Sequence, residues 1–80
     1  MEPTPKTAMT QIERAAKVLT EELHPVVTTQ DRKDAVVELG CSMITVILYL
    51  NGNCRNLDTA MRLINFFRAK VAERERALAS

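Results

Sequence analysis

The chain is poor in aromatic residues and contains no tryptophan. Among its 80 residues there are one Tyr and two Phe, so aliphatic side chains and Met must fill any core. Proteins that bind single-stranded nucleic acid commonly stack bases on several aromatic rings. The spacing of Tyr49 and the two Phe is instead typical of core or interface residues.

Residues that build metal and redox sites are also scarce. The only histidine is His24, and the only cysteines are Cys41 and Cys54. A structural zinc site uses four Cys or His ligands, and a disulfide framework in a small domain uses four or more cysteines. We therefore expect no metal and no cofactor. Two cysteines are too few for such a framework, so we expect a reducing compartment, the cytoplasm, while a bridge between Cys41 and Cys54 is left open.

The sequence has no apolar run of membrane-spanning length. The longest weakly polar run covers residues 39–50, whereas a helix needs about 20 apolar residues to cross a bilayer. The N-terminal stretch MEPTPKTAMT also lacks the basic and apolar regions of a signal peptide. We therefore expect no membrane partner.

Charge of one sign does not dominate either. Eleven basic and ten acidic residues give a net charge of +1, too small to produce a strong field for nucleic acid. A helix-turn-helix interpretation of residues 35–49 fails for a related reason. Its recognition helix would be MITVILYLN, which has no Arg or Lys to contact DNA. Nucleic acid is therefore not the expected partner.

Residues 5–23 are predicted to form the first helix. Thr4 followed by Pro5 is typical of a helix start, because Thr caps free N–H groups and Pro presets φ. Apolar residues then recur at helical spacing. They are Ala8, Ile12, Ala15, Leu19 and Leu23. Pro25 disfavours helical geometry at the preceding His24, which we expect to cap the helix rather than act as a catalytic base.

Residues 29–50 are predicted to form the second helix. Thr28 with Asp31 three positions later approximates a capping box. Gly52 ends the helix, because glycine readily adopts the left-handed conformation of a C-cap. Gly40 then falls in mid-helix, where we expect it to allow close approach of another helix.

The third helix is predicted over residues 57–77, with Asn56 or Asp58 as its N-cap. Three helices with short connections predict an all-α fold. We expect a three-helix antiparallel bundle, or a helical hairpin plus a third helix. Residues 1–80 would form one domain with frayed ends at 1–4 and 78–80.

Too much apolar surface remains for three short helices to hide. The run MITVILYL makes the second helix apolar around most of its circumference, and the third helix has apolar residues on two sides. Excess apolar surface usually marks an interaction site, so we expect a homo-oligomer, most simply a two-fold dimer. Whether the third helix packs on its own chain or on a neighbour stays open. The expected interface residues are Leu39, Met43, Ile44, Ile47, Leu63, Phe66 and Phe67.

Function follows only indirectly from these features. The residues do not combine into a nucleophile, a base and an acid, so we expect no enzyme activity. Our hypothesis is a small helical interaction protein that regulates or inhibits a protein partner by direct binding. Arg55, Arg62 and Arg68 are the expected polar contacts. The alternative is a helical oligomer that binds a small nucleotide-like ligand or nucleic acid through the Arg residues of the last third. Reactivity of Cys54, in the loop before the third helix, is left open.

Overall fold

Four helices make up the part of the chain that the structure, a computed structural model, describes, which is residues 10–79. Helix α1 is an α-helix over Gln11–Lys17 that continues as a π-helix over Val18–Leu23. The other helices are α2 (Thr29–Leu39), α3 (Met43–Leu50) and α4 (Leu57–Ala79). Residues 10–79 contain no strand, so the all-α prediction is confirmed, but the number of helices is four rather than three. None of the helices in this range is long and apolar enough to cross a membrane.

Helix α1 begins at a capping box. The Thr10 hydroxyl accepts a hydrogen bond from the Glu13 N–H at 3.2 Å, and the Glu13 carboxylate accepts one from the Thr10 N–H at 3.0 Å. Thr10 is extended, with ψ at 158°, so α1 does not run unbroken from residue 5. The predicted start at Thr4 and Pro5 lies outside the described residues.

The second half of α1 widens into a π-helix. The His24 N–H donates to the Leu19 carbonyl, five residues back, at 2.7 Å. The Thr20 hydroxyl donates to the Ala16 carbonyl at 2.9 Å, a local bond that competes with the regular helical ladder. The helix ends at Leu23 with His24 as C-cap, so the predicted stop is confirmed. His24 itself keeps helical geometry, with φ −51° and ψ −44°, so the expectation that Pro25 would disfavour this geometry there is wrong.

The prediction of one helix over 29–50 is wrong, because the chain turns at Gly40. Gly40 has φ 69° and ψ 29°, the left-handed conformation that ends α2. Two residues later Ser42 is extended and its hydroxyl accepts from the Thr45 N–H at 3.1 Å, which starts α3. Gly40 is therefore a helix terminator, and its interpretation as a site of close helix approach is also wrong.

The start of α2 confirms the predicted capping box. The Thr28 N–H donates to the Asp31 carboxylate at 3.0 Å, and the Asp31 N–H donates to the Thr28 hydroxyl at 3.1 Å. Asp31 is only 4% exposed, and Arg74 of α4 pairs with it at 3.1 Å. Arg74 also donates to the Val26 carbonyl at 3.0 Å. Arg74 thus ties α4 to α2 and to the loop that precedes α2.

Helix α3 ends in a Schellman motif, as the Gly52 signal predicted. Gly52 has φ 92°, and the following Asn53 N–H donates to the Leu48 carbonyl at 2.8 Å. The buried Tyr49 hydroxyl then accepts from the Asn56 N–H at 3.0 Å, which fixes the loop. Asn56 in turn caps α4.

The core lies where α4 packs against α1 and α2, and where α3 packs against α2 and the π-helical part of α1. Its side chains are mainly aliphatic, as the shortage of aromatic residues predicted. The buried apolar residues are Ala15, Leu19, Leu23, Val27, Ala35, Val46, Tyr49, Leu50, Ala60, Leu63, Ile64 and Phe67.

Replacing Gly40 distinguishes the observed turn from a continuous helix. We expect Gly40→Ala to lower the free energy of unfolding by about 1 kcal/mol, because a Cβ is strained at positive φ. Gly40→Asn is the matched control and should lose less, because Asn tolerates this conformation. Urea unfolding followed by circular dichroism measures both. Stabilisation by Ala would indicate an uninterrupted helix instead.

Removing the Arg74 side chain tests the tie between α2 and α4. We expect Arg74→Ala to lower the free energy of unfolding by about 1–3 kcal/mol, because buried Asp31 loses its counter-charge. Arg62→Ala removes an exposed pair with Asp58 and should cost about 0.5 kcal/mol or less. If Arg74→Ala and Arg62→Ala lower the free energy of urea unfolding equally, the Arg74–Asp31 pair contributes no more than an exposed surface pair.

Candidate protein-interaction surface

One side of α3 is apolar and exposed. Ile44, Ile47 and Leu48 follow the i, i+3, i+4 spacing that places them on one side of a helix, and they are 69%, 45% and 41% exposed. We call these three residues the α3 face. The opposite side of the helix, with Val46 and Tyr49, is buried in the core. The run MITVILYL is therefore covered by its own chain on one side only.

The α3 face lies in an uncharged stretch of the chain. Residues 39–54 contain no Asp, Glu, Lys, Arg or His. The polar residues of α3 and its cap bond within the chain, since the Ser42 and Thr45 hydroxyls lie 3.0 Å apart. The residues of the face itself are therefore uncharged, whereas His24 and Arg32, from other parts of the chain, border it beside Ile47.

The predicted interface residues fall into three groups. Ile44 and Ile47 are exposed on the α3 face; Leu39, Met43 and Phe66 are half-buried. Leu63 and Phe67 are fully buried among the chain's own helices, so in this fold they do not present a surface to another subunit. The turn at Gly40 explains why Ile44 and Ile47 are exposed, because it lets α3 run in a different direction from α2.

Leu48 was missed as a candidate, although its position four residues after Ile44 was a usable signal. Val37 on α2 is also exposed, at 78%. It belongs to α2, next to Glu38 in the sequence, and is not one of the three residues of the α3 face.

The second apolar side of α4 is used within the chain. The Phe66 ring meets the Phe67 ring edge-on at 5.8 Å between centroids. The Lys70 ammonium lies 5.4 Å from the Phe66 centroid and pairs with Asp34 of α2 at 3.1 Å. Phe66 is thus partly covered by its own helix.

The predicted arginine contacts do not form a strip of unpaired cations. Arg62 pairs with Asp58 at 3.1 Å, and Arg68 donates to both carboxylate oxygens of Glu22 at 2.9 and 3.1 Å. The Arg55 side chain is exposed and has no ion pair with the residues in the range 10–79. Two of the three candidates therefore have their charge balanced already.

The cysteines are not activated nucleophiles. Burial raises the pKa of both the Cys41 and the Cys54 thiols above their ordinary value. The Cys54 thiol points to the Tyr49 carbonyl at 3.7 Å, and the Cys41 thiol to the Ala35 carbonyl at 3.8 Å. The structure groups no three His, Cys, Asp or Glu residues of 10–79 in a way that could hold a metal ion.

An open groove separates α1 from α4 on another side of the molecule. It has a volume of about 370 Å³. Its apolar lining is Ala15, Val18, Leu57, Met61 and Ile64, and its polar lining is Gln11, Arg14 and Arg68. We call it the α1–α4 groove. None of the residues within 10–79 that line it is acidic.

Lowering the pH should remove the contribution of the Glu22–Arg68 pair. Hydrogen bonds from Arg68 lower the pKa of Glu22 below its ordinary 4.5. As pH falls, Glu22 is therefore protonated in the unfolded state before it is protonated in the folded state. The stabilisation is therefore complete above about pH 4.5 and is lost as pH falls through the lowered pKa.

We expect the difference in unfolding free energy between the wild type and Glu22→Gln to vanish at low pH. Urea unfolding of both proteins between pH 7 and 2 measures it. Glu21→Gln is the control, because this neighbouring exposed carboxylate forms no ion pair within residues 10–79. If the difference in unfolding free energy between the wild type and Glu22→Gln does not change with pH, the Glu22–Arg68 ion pair is not its cause.

Comparison of the chain with protein-family models, with curated proteins and with solved structures gave no match. Its function is therefore inferred from its own residues.

Proposed function

We propose that this chain is a small non-enzymatic interaction protein that forms a homodimer through the α3 face and regulates or inhibits a protein partner by direct binding. The observation that supports it is the exposed, uncharged α3 face of Ile44, Ile47 and Leu48. Single exposed apolar residues are common on proteins, but a contiguous group on one helix usually marks an interaction site.

Burying the α3 face is energetically favourable. Complete burial of one large aliphatic side chain contributes about 1.5–3 kcal/mol, and Ile44 is still 69% exposed in the single chain. The half-buried Leu39 and Met43 lie in the same uncharged stretch and extend the available apolar area. A partner that covers this area would remove the largest remaining apolar surface of α3 from water.

A second copy of the chain is the partner that this surface fits. In a two-fold dimer each residue of the patch meets the same patch on the partner. A patch with one sign of charge would therefore repel itself, and like charges across an interface are costly. Ile44, Ile47 and Leu48 carry no charge, so the α3 face can meet its own copy without this penalty provided that Arg32, which borders Ile47, stays at the edge of the interface.

The chemistry of the two thiols supports a non-enzymatic role. Both thiols donate to backbone carbonyls and have raised pKa values, which disfavours the reactive thiolate. The two cysteines are unpaired, which suits the reducing cytoplasm as the site of action.

Native mass tests the dimer directly. We expect light scattering behind a sizing column to give twice the chain mass at micromolar concentrations. Ile44→Asp should weaken dimerisation by about 100-fold, because burying an unpaired carboxylate costs several kcal/mol. Val37→Asp is the matched control, since it places the same charge on an exposed apolar position outside the α3 face.

Circular dichroism of both variants checks that they fold. A wild type that remains a monomer at the highest soluble concentration would overturn the dimer. Equal effects of the two Asp variants would place the interface elsewhere.

A further inference from the structure

The α1–α4 groove is long enough to bind a short helix. Its α1 wall extends from Gln11 to Val18, which is about 10 Å of helix. Its α4 wall extends from Leu57 to Arg68, which is about 16 Å. Both walls expose residues at spacings of three and four, so the groove runs along two neighbouring helices for two to three turns.

The floor and rim of the groove differ in chemistry. Ala15 and Ile64 are buried at the floor, whereas Met61 is 43% exposed in the groove. Methionine is unbranched and adaptable, so it suits a surface that receives another side chain. Cationic residues stand on both walls, Arg14 on α1 and Arg68 on α4.

The two arginines are available to different degrees. Arg14 is exposed and makes no ion pair within residues 10–79. Arg68 is paired with Glu22, but both side chains are about half exposed, and exposed pairs of this kind contribute little to stability. On either side of the apolar floor, a guanidinium can therefore donate two parallel hydrogen bonds to a carboxylate of a partner.

We propose that the α1–α4 groove binds an amphipathic helix of a partner protein, with apolar side chains facing the floor and carboxylates facing Arg14 and Arg68. This assignment gives the chemical class of the partner and rests on the proposed role as an interaction protein. It uses a different surface from the α3 face. A helix with lysines beside its apolar residues would meet basic residues on both walls and should bind more weakly.

Methyl NMR of the full chain with ¹³C-labelled methionine tests this site. The probe is a synthetic helical peptide of about 16 residues with Leu at helical spacing and Glu on both flanks. A peptide with Lys in place of each Glu is its control. Met61 reports on the groove, and Met43 in α3 reports on the other surface.

We expect the Glu peptide to shift the Met61 methyl signal saturably while the Met43 signal stays in place. The Lys peptide should bind at least about tenfold more weakly. Arg14→Glu should weaken binding of the Glu peptide about fivefold or more and strengthen binding of the Lys peptide. Lys17→Glu makes the same charge change on α1 outside the groove, and it should leave both affinities near wild type.

Three results would overturn the proposal. Equal affinities for the two peptides would exclude charge recognition at the rim. A shift at Met43 without one at Met61 would place peptide binding on α3. Contacts between the Met61 methyl and residues 1–9 in the free protein would identify this segment of the chain itself as the occupant. The native mass of the chain is measured separately, so failure of the groove and failure of the dimer are distinguishable.

Discussion

The left-handed turn at Gly40 is the constraint on which the arrangement of the other helices depends. One continuous helix over 29–50 would be a rod of about 33 Å. With the turn, α2 keeps its contact with α4, and α3 packs against α2 and the π-helical part of α1. Val46, Tyr49 and Leu50 then enter the core, and the opposite side of α3 stays exposed. The same turn thus produces both the core and the candidate interface.

Ion pairs hold the half of α4 that has few apolar residues. Arg68, Lys70 and Arg74 pair with Glu22, Asp34 and Asp31, respectively. Only Asp31 of these is buried, because it also caps α2. The three pairs therefore differ in importance: those of Glu22 and Asp34 remain in part solvent-accessible and contribute little, whereas the Asp31 pair satisfies a charge that the fold has removed from water.

The two candidate surfaces differ in the forces that would act on them. The three residues of the α3 face carry no charge and only its edge is bordered by Arg32, so its burial depends mainly on the hydrophobic effect and should respond less to salt. The α1–α4 groove combines an apolar floor with Arg14 and Arg68, so binding there should weaken as ionic strength rises. A molecule with both surfaces can associate with its own copy and still present a separate site to a partner of a different chemical class.

Local signals in the sequence determined the helix ends and the fold class. Thr28 with Asp31, Asn56 and Gly52 each take the capping role that their chemistry predicts, and Pro25 stops α1 as expected. These roles depend on neighbours a few residues apart, so they can be inferred from the sequence alone. The apolar width of MITVILYL likewise indicated that this segment would be hard to cover.

Tertiary structure alone decided which apolar residues remain exposed. A helical wheel drawn through Gly40 assumes one axis for residues 29–50, and the turn invalidates it. Leu63 and Phe67, expected at an interface, are instead buried, and Leu48 is exposed. The partner of Arg74 is Asp31, 43 residues earlier in the chain. Contacts at such separations depend on how whole helices pack, and no local pattern in this sequence encodes them.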